Sequence, residues 1–205
     1  PSEIAIGPST INVNGKLNNI LSFISPNKTV NGNINLSADE LDLNPWMTKS
    51  DALDNGLITP EQNKEIFDKY DIVFTGQIKK LKFKEYAFEN ASAQAILKGQ
   101  EITVSSMSAK HNNTDISGSG TFQNVLSYAL ENKTLSGNMD LKSNNFNLND
   151  FITDSGSEVK DVFLVPDKLN IDIKAQIKSM KYTNLDMSNV AGDIQIQNQQ
   201  IQIRD

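Results

Sequence analysis

The chain contains an internal duplication, and this feature constrains its fold more than any other. Residues 11–48 align without a gap with residues 116–153 at an offset of 105 positions, and fourteen of the aligned positions are identical. The identities include Gly15/Gly120, Asn19/Asn124, Gly32/Gly137, Leu36/Leu141 and Asn44/Asn149. A duplicated unit is typical of an extended, repetitive architecture and less typical of a fold built around one catalytic pocket.

A second repeated block follows each copy at an offset of 99 positions. Its identities include Gln77/Gln176, Ile78/Ile177, Lys82/Lys181, Asn90/Asn189 and Ile102/Ile201. The offset changes within segments 49–70 and 154–168, which we predict to be surface connections because such connections tolerate insertions and deletions. We therefore predict two tandem β-rich units, 1–110 and 111–205.

Composition narrows the classes of protein that fit. Hydrophobic residues make up 38% of the chain, and Asn, Ser and Gln are abundant, which favours sheets with one apolar and one solvated face. The net charge of −6 argues against a nucleic-acid partner, because such binding needs clustered Lys and Arg. The absence of cysteine excludes disulfides, thiolate nucleophiles and Cys-ligated metals.

Targeting signals are also missing from the sequence. It has no run of about 18 apolar residues and no signal peptide. It begins at Pro1 beside a predicted strand and ends just after another. We expect a piece of a longer protein, with any export signal or membrane anchor outside it.

Alternation of apolar and polar residues predicts β-strands along most of the chain, because it places all apolar side chains on one face. The predicted strands include 33–36, 40–43, 72–74, 78–83, 102–104, 171–177, 194–196 and 201–203. We predict short turns at 37–39 and 198–199, and hairpin-connected, mostly antiparallel strands. Isolated repeats would leave exposed edges, so we expect the units to join edge to edge in one curved sheet or groove.

Helices are predicted to be few and short, so the expected class is all-β with a few short helices. Apolar spacings of three and four residues predict helices at 17–24 and 122–130, at matching places in the two units. A third helix is predicted at 60–69, with Thr59 as its N-cap and Pro60 in its first turn.

Two stretches of the second unit resemble the repeats of AsmA-like proteins. The first runs from Gly120-Thr121-Phe122-Gln123-Asn124 through a short helix to the segments 135–141 and 146–151. The second runs from Val165-Pro166-Asp167 through 168–171 to Met180-Lys181-Tyr182 and the segment 189–192. The resemblance covers nearly the whole chain. The Val-Pro-Asp sequence that begins the second stretch is absent from the first unit, where Asp68-Lys69-Tyr70 occupies the corresponding place.

This resemblance implies a non-catalytic periplasmic segment of a Gram-negative envelope protein, anchored to the inner membrane by a segment outside this chain. It implies a role in outer-membrane assembly or lipid homeostasis, with other envelope proteins as partners and acyl chains as ligands of a curled sheet. An antiparallel sheet with an uncovered apolar face must also curl, pair with a second sheet or bind something apolar. The candidates for lipid contact are Phe74, Ile78, Phe83, Phe88, Ile173, Ile177, Tyr182 and Met187. Taken singly, each of these side chains fits core packing better than ligand contact.

Catalytic, metal and cofactor sites find little support in the sequence. His111 is the only histidine and follows Lys110 before two asparagines, so we predict an exposed turn residue and no catalytic residues. The segment 51–62 is similar to a calcium loop, with Asp51 at position 1 and Asn55 at position 5, but Leu53 and Gln62 replace two required oxygen ligands. We therefore predict no metal and no cofactor. The alternative function is that of a cell-surface adhesin or glycan-binding β-sandwich.

Overall fold

The computed structural model describes residues 2–6, 9–20, 29–44, 69–131, 133–151 and 168–204. Within these ranges the protein forms one sheet of eleven strands whose order in the sheet is their order in the chain. The strands are β1 (Ser2–Ile6), β2 (Ser9–Asn18), β3 (Val30–Asp42), β4 (Tyr70–Phe83), β5 (Tyr86–Lys98), β6 (Glu101–His111), β7 (Thr114–Gln123), β8 (Leu135–Asn147), β9 (Leu169–Tyr182), β10 (Leu185–Gln197) and β11 (Gln200–Arg204). The first and last strands do not pair with each other, so the sheet is not closed into a barrel. The predicted all-β class and the mostly antiparallel sheet are confirmed.

The strand boundaries follow the sequence duplication. β3 and β8 have boundaries that differ by 105 at both ends, whereas β4 and β9, and likewise β5 and β10, differ by 99. The units pair through β6 and β7, whose register runs from Ile102↔Phe122 to His111↔Thr114. The predicted edge-to-edge junction of the two units is therefore an ordinary antiparallel hairpin.

One step in each unit is parallel, a direction that the alternating pattern did not predict. Among the described strands, β3 pairs with β4 and β8 pairs with β9 in parallel, and the other eight neighbouring pairs are antiparallel. Parallel neighbours need a connection of a dozen or more residues, because the chain must return to the starting edge of the sheet. The two predicted connecting segments supply that length.

Four of the described two-residue hairpin turns have a positive φ at the first residue only, which is the pattern of type II′ turns, and a fifth has it at both residues, as type I′ turns require. Lys84 (φ 53°), Gly99 (φ 59°), Asn112 (φ 51°) and Thr183 (φ 50°) hold this position in four of the turns. In the turn at 198–199 both residues have positive φ, 53° and 60°. The predicted turn at 198–199 is confirmed.

The predicted turn at 37–39 is wrong, because β3 continues through it. The apolar residues change phase there: Ala38 and Leu41 are both buried although they are three residues apart. The same change occurs on β5, where Asn90 (φ 51°) takes the left-handed conformation, and on β10 at Asn189 (φ 55°). Asparagine tolerates this conformation better than most residues, which explains its presence at this point in both units.

The helical predictions have mixed outcomes. The second unit contains α1 (Val125–Glu131), followed after β8 by a 3-10 turn (Leu148–Asp150). Phe122 lies in β7 and not in a helix. In the first unit, residues 17 and 18 belong to β2, which contradicts the start of the predicted helix 17–24. Residues 21–24 and 60–68 lie outside the described residues.

Candidate apolar binding groove

One face of the sheet is apolar across β2 to β11. Residues that lie directly opposite one another on paired strands point to the same face. One such row crosses ten strands and contains only apolar residues and glycine: Gly15, Ile34, Phe74, Ala95, Val104, Gly120, Met139, Ile173, Ile194 and Ile203. The rows on either side are equally apolar, one from Leu17 to Ile201 and the other from Val13 to Gly192.

An open groove lies on this face across β4, β5, β6 and the adjoining part of β7. Its volume is about 330 Å³, and its lining residues are Gly76, Ile78, Leu81, Phe88, Ala91, Ser92, Ala93, Met107, Ser108, Ala109 and Ile116. Its centre is formed by small residues: Gly76 lies opposite Ala93, and a Cβ atom placed on Gly76 would meet no atom within 4 Å. Larger side chains, including those of Ile78, Phe88 and Met107, line the groove around this pair, so the small residues create the depression.

A buried aromatic cluster bounds the groove at the Phe88 side. The His111 ring lies 5.5 Å from the ring of Phe88, 5.6 Å from that of Tyr86 and 5.2 Å from that of Phe151. The Tyr86 hydroxyl donates to the Phe151 carbonyl oxygen at 3.1 Å. Burial, and after it the neighbouring Glu85 carboxylate, raises the pKa of Tyr86.

The prediction that His111 is an exposed turn residue is wrong. His111 is the last residue of β6 and only 8% of its surface is exposed. Its Nδ1 atom lies 2.8 Å from the Ala87 carbonyl oxygen, and its Nε2 atom lies 3.4 Å from the Asp150 carbonyl oxygen. The Asn112 side-chain amide nitrogen also lies 3.4 Å from Nε2. The short contact of Nδ1 with a backbone carbonyl and the three aromatic neighbours give this histidine a packing role.

The 3-10 turn after β8 is held over this end of the sheet by a polar network. Thr114, 1% exposed, donates from its hydroxyl to the Asp150 carboxylate at 3.2 Å and accepts from the Asn147 amide at 2.9 Å. The first unit repeats the second of these bonds, since the Asp42 amide donates to the Ser9 hydroxyl at 2.9 Å. By fixing the 3-10 turn, the network positions the Phe151 ring against the rings of Tyr86 and His111.

The repeated asparagines are structural in both units. Asn44 accepts at its side-chain oxygen from the Lys84 amide at 2.5 Å, and Asn149 accepts from the Thr183 amide at 2.9 Å, so each fixes the turn of a neighbouring hairpin. Asn19 and Asn124 donate to the carbonyl oxygens of Thr29 and Thr134 at 3.2 Å and 3.3 Å. The asparagines that are identical in the two units therefore stabilise the same backbone geometry in each.

The eight predicted lipid-facing residues occupy β4, β5, β9 and β10, and their pairing places them on the apolar face. Ile78 and Phe88 line the groove, whereas Phe74 lies two residues before Gly76 on β4 and is not among the lining residues. Phe83 lies opposite Tyr86 at the hairpin. In the second unit Ile177 is buried, Ile173 is half-buried, and Tyr182 and Met187 are exposed near the sheet edge. Of the four first-unit candidates only Ile78 and Phe88 line the groove, and none of the second-unit candidates does.

The residues that give the groove its depth were not among the predicted site residues. Gly76 and Ala93 lie on the apolar face of their strands, but their side chains are too small for the sequence to mark them as binding residues. A glycine inside a strand is a signal of close approach by a ligand or another backbone, and Gly76 carries that signal. Met107 and Ile116 complete the wall from β6 and β7.

The described residues were also searched for a metal centre and for a membrane-spanning helix. Within ranges 2–6, 9–20, 29–44, 69–131, 133–151 and 168–204, no three His, Asp or Glu side chains are grouped as metal ligands. Asp51 and Asn55, the residues of the weak calcium candidate, lie outside those ranges. Over the same part of the chain, no helix is both long and apolar enough to cross a membrane.

Fold and site together define a tandem-repeat protein with an open sheet and an apolar groove. Comparisons with family models, with curated proteins and with solved structures find no match for this chain.

Proposed function

We propose that the protein is a non-catalytic lipid-handling segment that holds acyl chains on the apolar face of its sheet. The observation that carries the proposal is the groove centred on Gly76 and Ala93, whose lining is almost entirely apolar. Its volume of about 330 Å³ lies at the lower end of the range of about 300–1,000 Å³ that is typical of ligand pockets.

The geometry suits a long, flexible, apolar ligand. The groove lies within apolar rows that continue over both units, so an acyl chain could extend beyond it without meeting a polar strand face. Ala93 is exposed at the floor of the groove, so a ligand can reach it from solvent. Burial of apolar surface contributes about 25 cal/mol per Å², which is enough for useful affinity over a chain of many methylene groups.

The sequence resemblance supports a broader setting for this activity. We propose an AsmA-like segment in the periplasm of a Gram-negative bacterium, which takes part in outer-membrane assembly or lipid transport together with other envelope proteins. In this setting a membrane anchor outside the chain would hold the sheet near its lipid source. The ligands would be membrane-derived acyl chains, with no cofactor and no nucleic acid.

The direct test is a substitution at the groove floor. Ala93→Asp places a carboxylate where an acyl chain would lie, and burying that charge against methylene groups is costly. We expect affinity for a phospholipid with a fluorescent acyl chain to fall at least about tenfold, which corresponds to about 1.4 kcal/mol. Binding is measured by titration in detergent-free buffer, beside mass spectrometry of lipids that co-purify with the unaltered protein.

The matched control is Gln94→Asp, which places the same charge one residue along β5 on the opposite face of the sheet. We expect the control to bind lipid as the unaltered protein does. Equal binding by both variants, with unchanged circular dichroism, would contradict the proposal. Absence of co-purified lipid together with binding to glycans would favour the adhesin alternative.

A further inference from the structure

The polar face of the sheet contains the same cavity in each unit. The first cavity, about 430 Å³ in volume, lies across β2 to β5, and the second, about 500 Å³, lies across β7 to β10. Each of the ten lining positions of one cavity corresponds to a lining position of the other at the offset of 105 or 99. The identical pairs are Gln77/Gln176, Ile78/Ile177, Lys79/Lys178 and Asn90/Asn189. The cavity is therefore a feature of the repeated unit.

Both cavities lie where the pairing of strands is interrupted. The register skips one row of residues, which holds Asp39, Lys79 and Asn90 in the first unit and Asn144, Lys178 and Asn189 in the second. The left-handed conformations of Asn90 and Asn189 fall in this row. In the first unit β6 pairs with β5 on both sides of the row, so the cavity exists there without a free sheet edge.

The charges around the two cavities differ. In the first unit the Lys79 ammonium lies 2.7 Å from the Asp39 carboxylate. Four acidic residues of β3 and β5 have uncharged equivalents in the second unit, namely Asp39/Asn144, Glu40/Asn145, Asp42/Asn147 and Glu89/Ser188. The lysines of β4 have the equivalents Lys79/Lys178, Lys80/Ser179 and Lys82/Lys181, and Lys181 lies opposite Asp186. Lys178 is therefore a lysine that both units share but whose counterion is present only in the first.

A second lysine lines the cavity of the second unit. Lys142 takes the place of Ser37 and lies directly opposite Gln176, which is two residues from Lys178 on β9. Lys142 and Lys178 are both exposed, and neither forms an ion pair with a carboxylate of the described residues. The other polar lining residues are Ser117, Ser143, Asn144, Gln176 and Asn189, and none of the described residues that line this cavity is acidic. The cavity thus combines two cations with hydroxyl and amide groups.

One carboxylate lies beside this cavity but does not line it. Asp115 accepts hydrogen bonds from the backbone and side-chain amides of Asn144, both at 3.1 Å, and from the Asn145 backbone amide at 2.7 Å. It lies directly opposite Lys110 and lines a separate cavity with that residue. The Asp115 charge already has these partners, so Lys142 and Lys178 remain available to another anion.

We propose that the cavity of the second unit binds a terminal phosphate group, either of a lipid headgroup or of free phosphate. Such a group carries about −1.5 to −2 charges at pH 7, which two ammonium groups match, and its oxygens accept charge-assisted hydrogen bonds. The site lies on the face opposite the apolar groove, because Lys142 and Lys178 alternate with Leu141 and Ile177 of the apolar face. It is therefore separate from the acyl-chain site and does not depend on that proposal.

Two titrations of the whole chain test the site and distinguish the two sources of phosphate. Backbone amide NMR spectra are recorded with added sodium phosphate, and with sodium chloride at the same ionic strength because salt screens exposed charges. We expect phosphate, and not chloride, to shift the signals of residues 142–144, 176–178 and 189–191. Co-sedimentation is measured with vesicles of phosphatidylcholine alone and of equal parts phosphatidylcholine and phosphatidic acid. Binding to the mixed vesicles without binding of free phosphate would identify the lipid headgroup as the ligand.

Lys178→Gln is the variant that tests the role of the unpaired lysine. We expect it to weaken phosphate or vesicle binding about threefold to fivefold, as loss of one exposed charge interaction would. The matched control is Lys79→Gln, which removes the same charge at the equivalent position of the first unit, where Asp39 already pairs with the lysine. We expect this control to bind as the unaltered protein does. Equal weakening by the two variants, phosphate shifts spread over the whole sheet, or no binding in either titration would overturn the proposal.

Discussion

Replacement of Gly137 by alanine is expected to destabilise the protein by about 3 kcal/mol, because the new Cβ atom has no room. It would meet the Thr121 carbonyl oxygen at less than contact distance and would lie 2.9 Å from the Cα atom of Phe122. Both neighbours are backbone atoms of β7, so they cannot move aside without breaking the β7–β8 pairing. The free energy of unfolding measured in urea gives the effect.

Gly76→Ala is the matched control for this substitution. Gly76 also lies in a strand on the apolar face, but a Cβ atom there would meet nothing within 4 Å. We expect the stability of this variant to remain within about 0.5–1 kcal/mol of the original, with any change toward stabilisation. Similar destabilisation of both variants would show that loss of glycine in a strand, and not close backbone approach, determines the result.

Replacement of Thr114 by valine is expected to lower the free energy of unfolding by about 1–3 kcal/mol. Valine keeps the shape of the side chain, but it removes the hydroxyl that donates to Asp150 and accepts from the Asn147 amide. Thr114 is 1% exposed, so water cannot replace the lost partner of that amide without local opening. Thermal and urea unfolding measure the loss.

The control for Thr114 is Thr103→Val on β6, because Thr103 is exposed and the same change there removes no buried hydrogen bond described in the structure. We expect this variant to be close to neutral. If valine at position 114 were tolerated as well as valine at position 103, the polar network could not be what holds the 3-10 turn over the end of the sheet.

The strands and their repetition could be predicted because both depend on local pattern. Alternation fixes which face a residue such as Phe74 or Ile173 occupies, and the duplication shows that both units use the same positions. Asn44 and Asn149 illustrate the limit of this reasoning. Their identity marked the repeat, but their hydrogen bonds to the turns at Lys84 and Thr183 cross between strands that the sequence alone does not align.

The failures have a common physical origin in tertiary contacts. His111 looked like a turn residue because asparagines follow it, yet its burial depends on Phe151, which arrives from forty residues further along the chain. The parallel direction of the β3–β4 and β8–β9 pairs depends on the connecting segments, which return the chain to the starting edge of the sheet. The length of these segments was the signal in the sequence, because two antiparallel strands can be joined by a tight hairpin and need no long connection.

The groove was only half predictable for a related reason. Aromatic and branched residues such as Phe88 and Ile78 are recognised as apolar, and the structure places both at the groove. The depth of the groove depends instead on the small size of Gly76 and Ala93, and on their being directly opposite each other. That juxtaposition follows from strand register, which alternation alone does not determine.

The parallel steps also divide the sheet in a way that matters for how it folds. Every strand in the described part of the chain pairs with its neighbour in sequence, so most of these pairings close short loops, which favours rapid folding. Among the pairings of the described strands, β3–β4 and β8–β9 must wait for a longer connection to close, at a larger entropic cost. We expect the cooperative folding units to be β1–β3, β4–β8 and β9–β11. The central unit spans the boundary between the two sequence repeats, so the duplicated segment and the segment that folds together are different parts of the same chain.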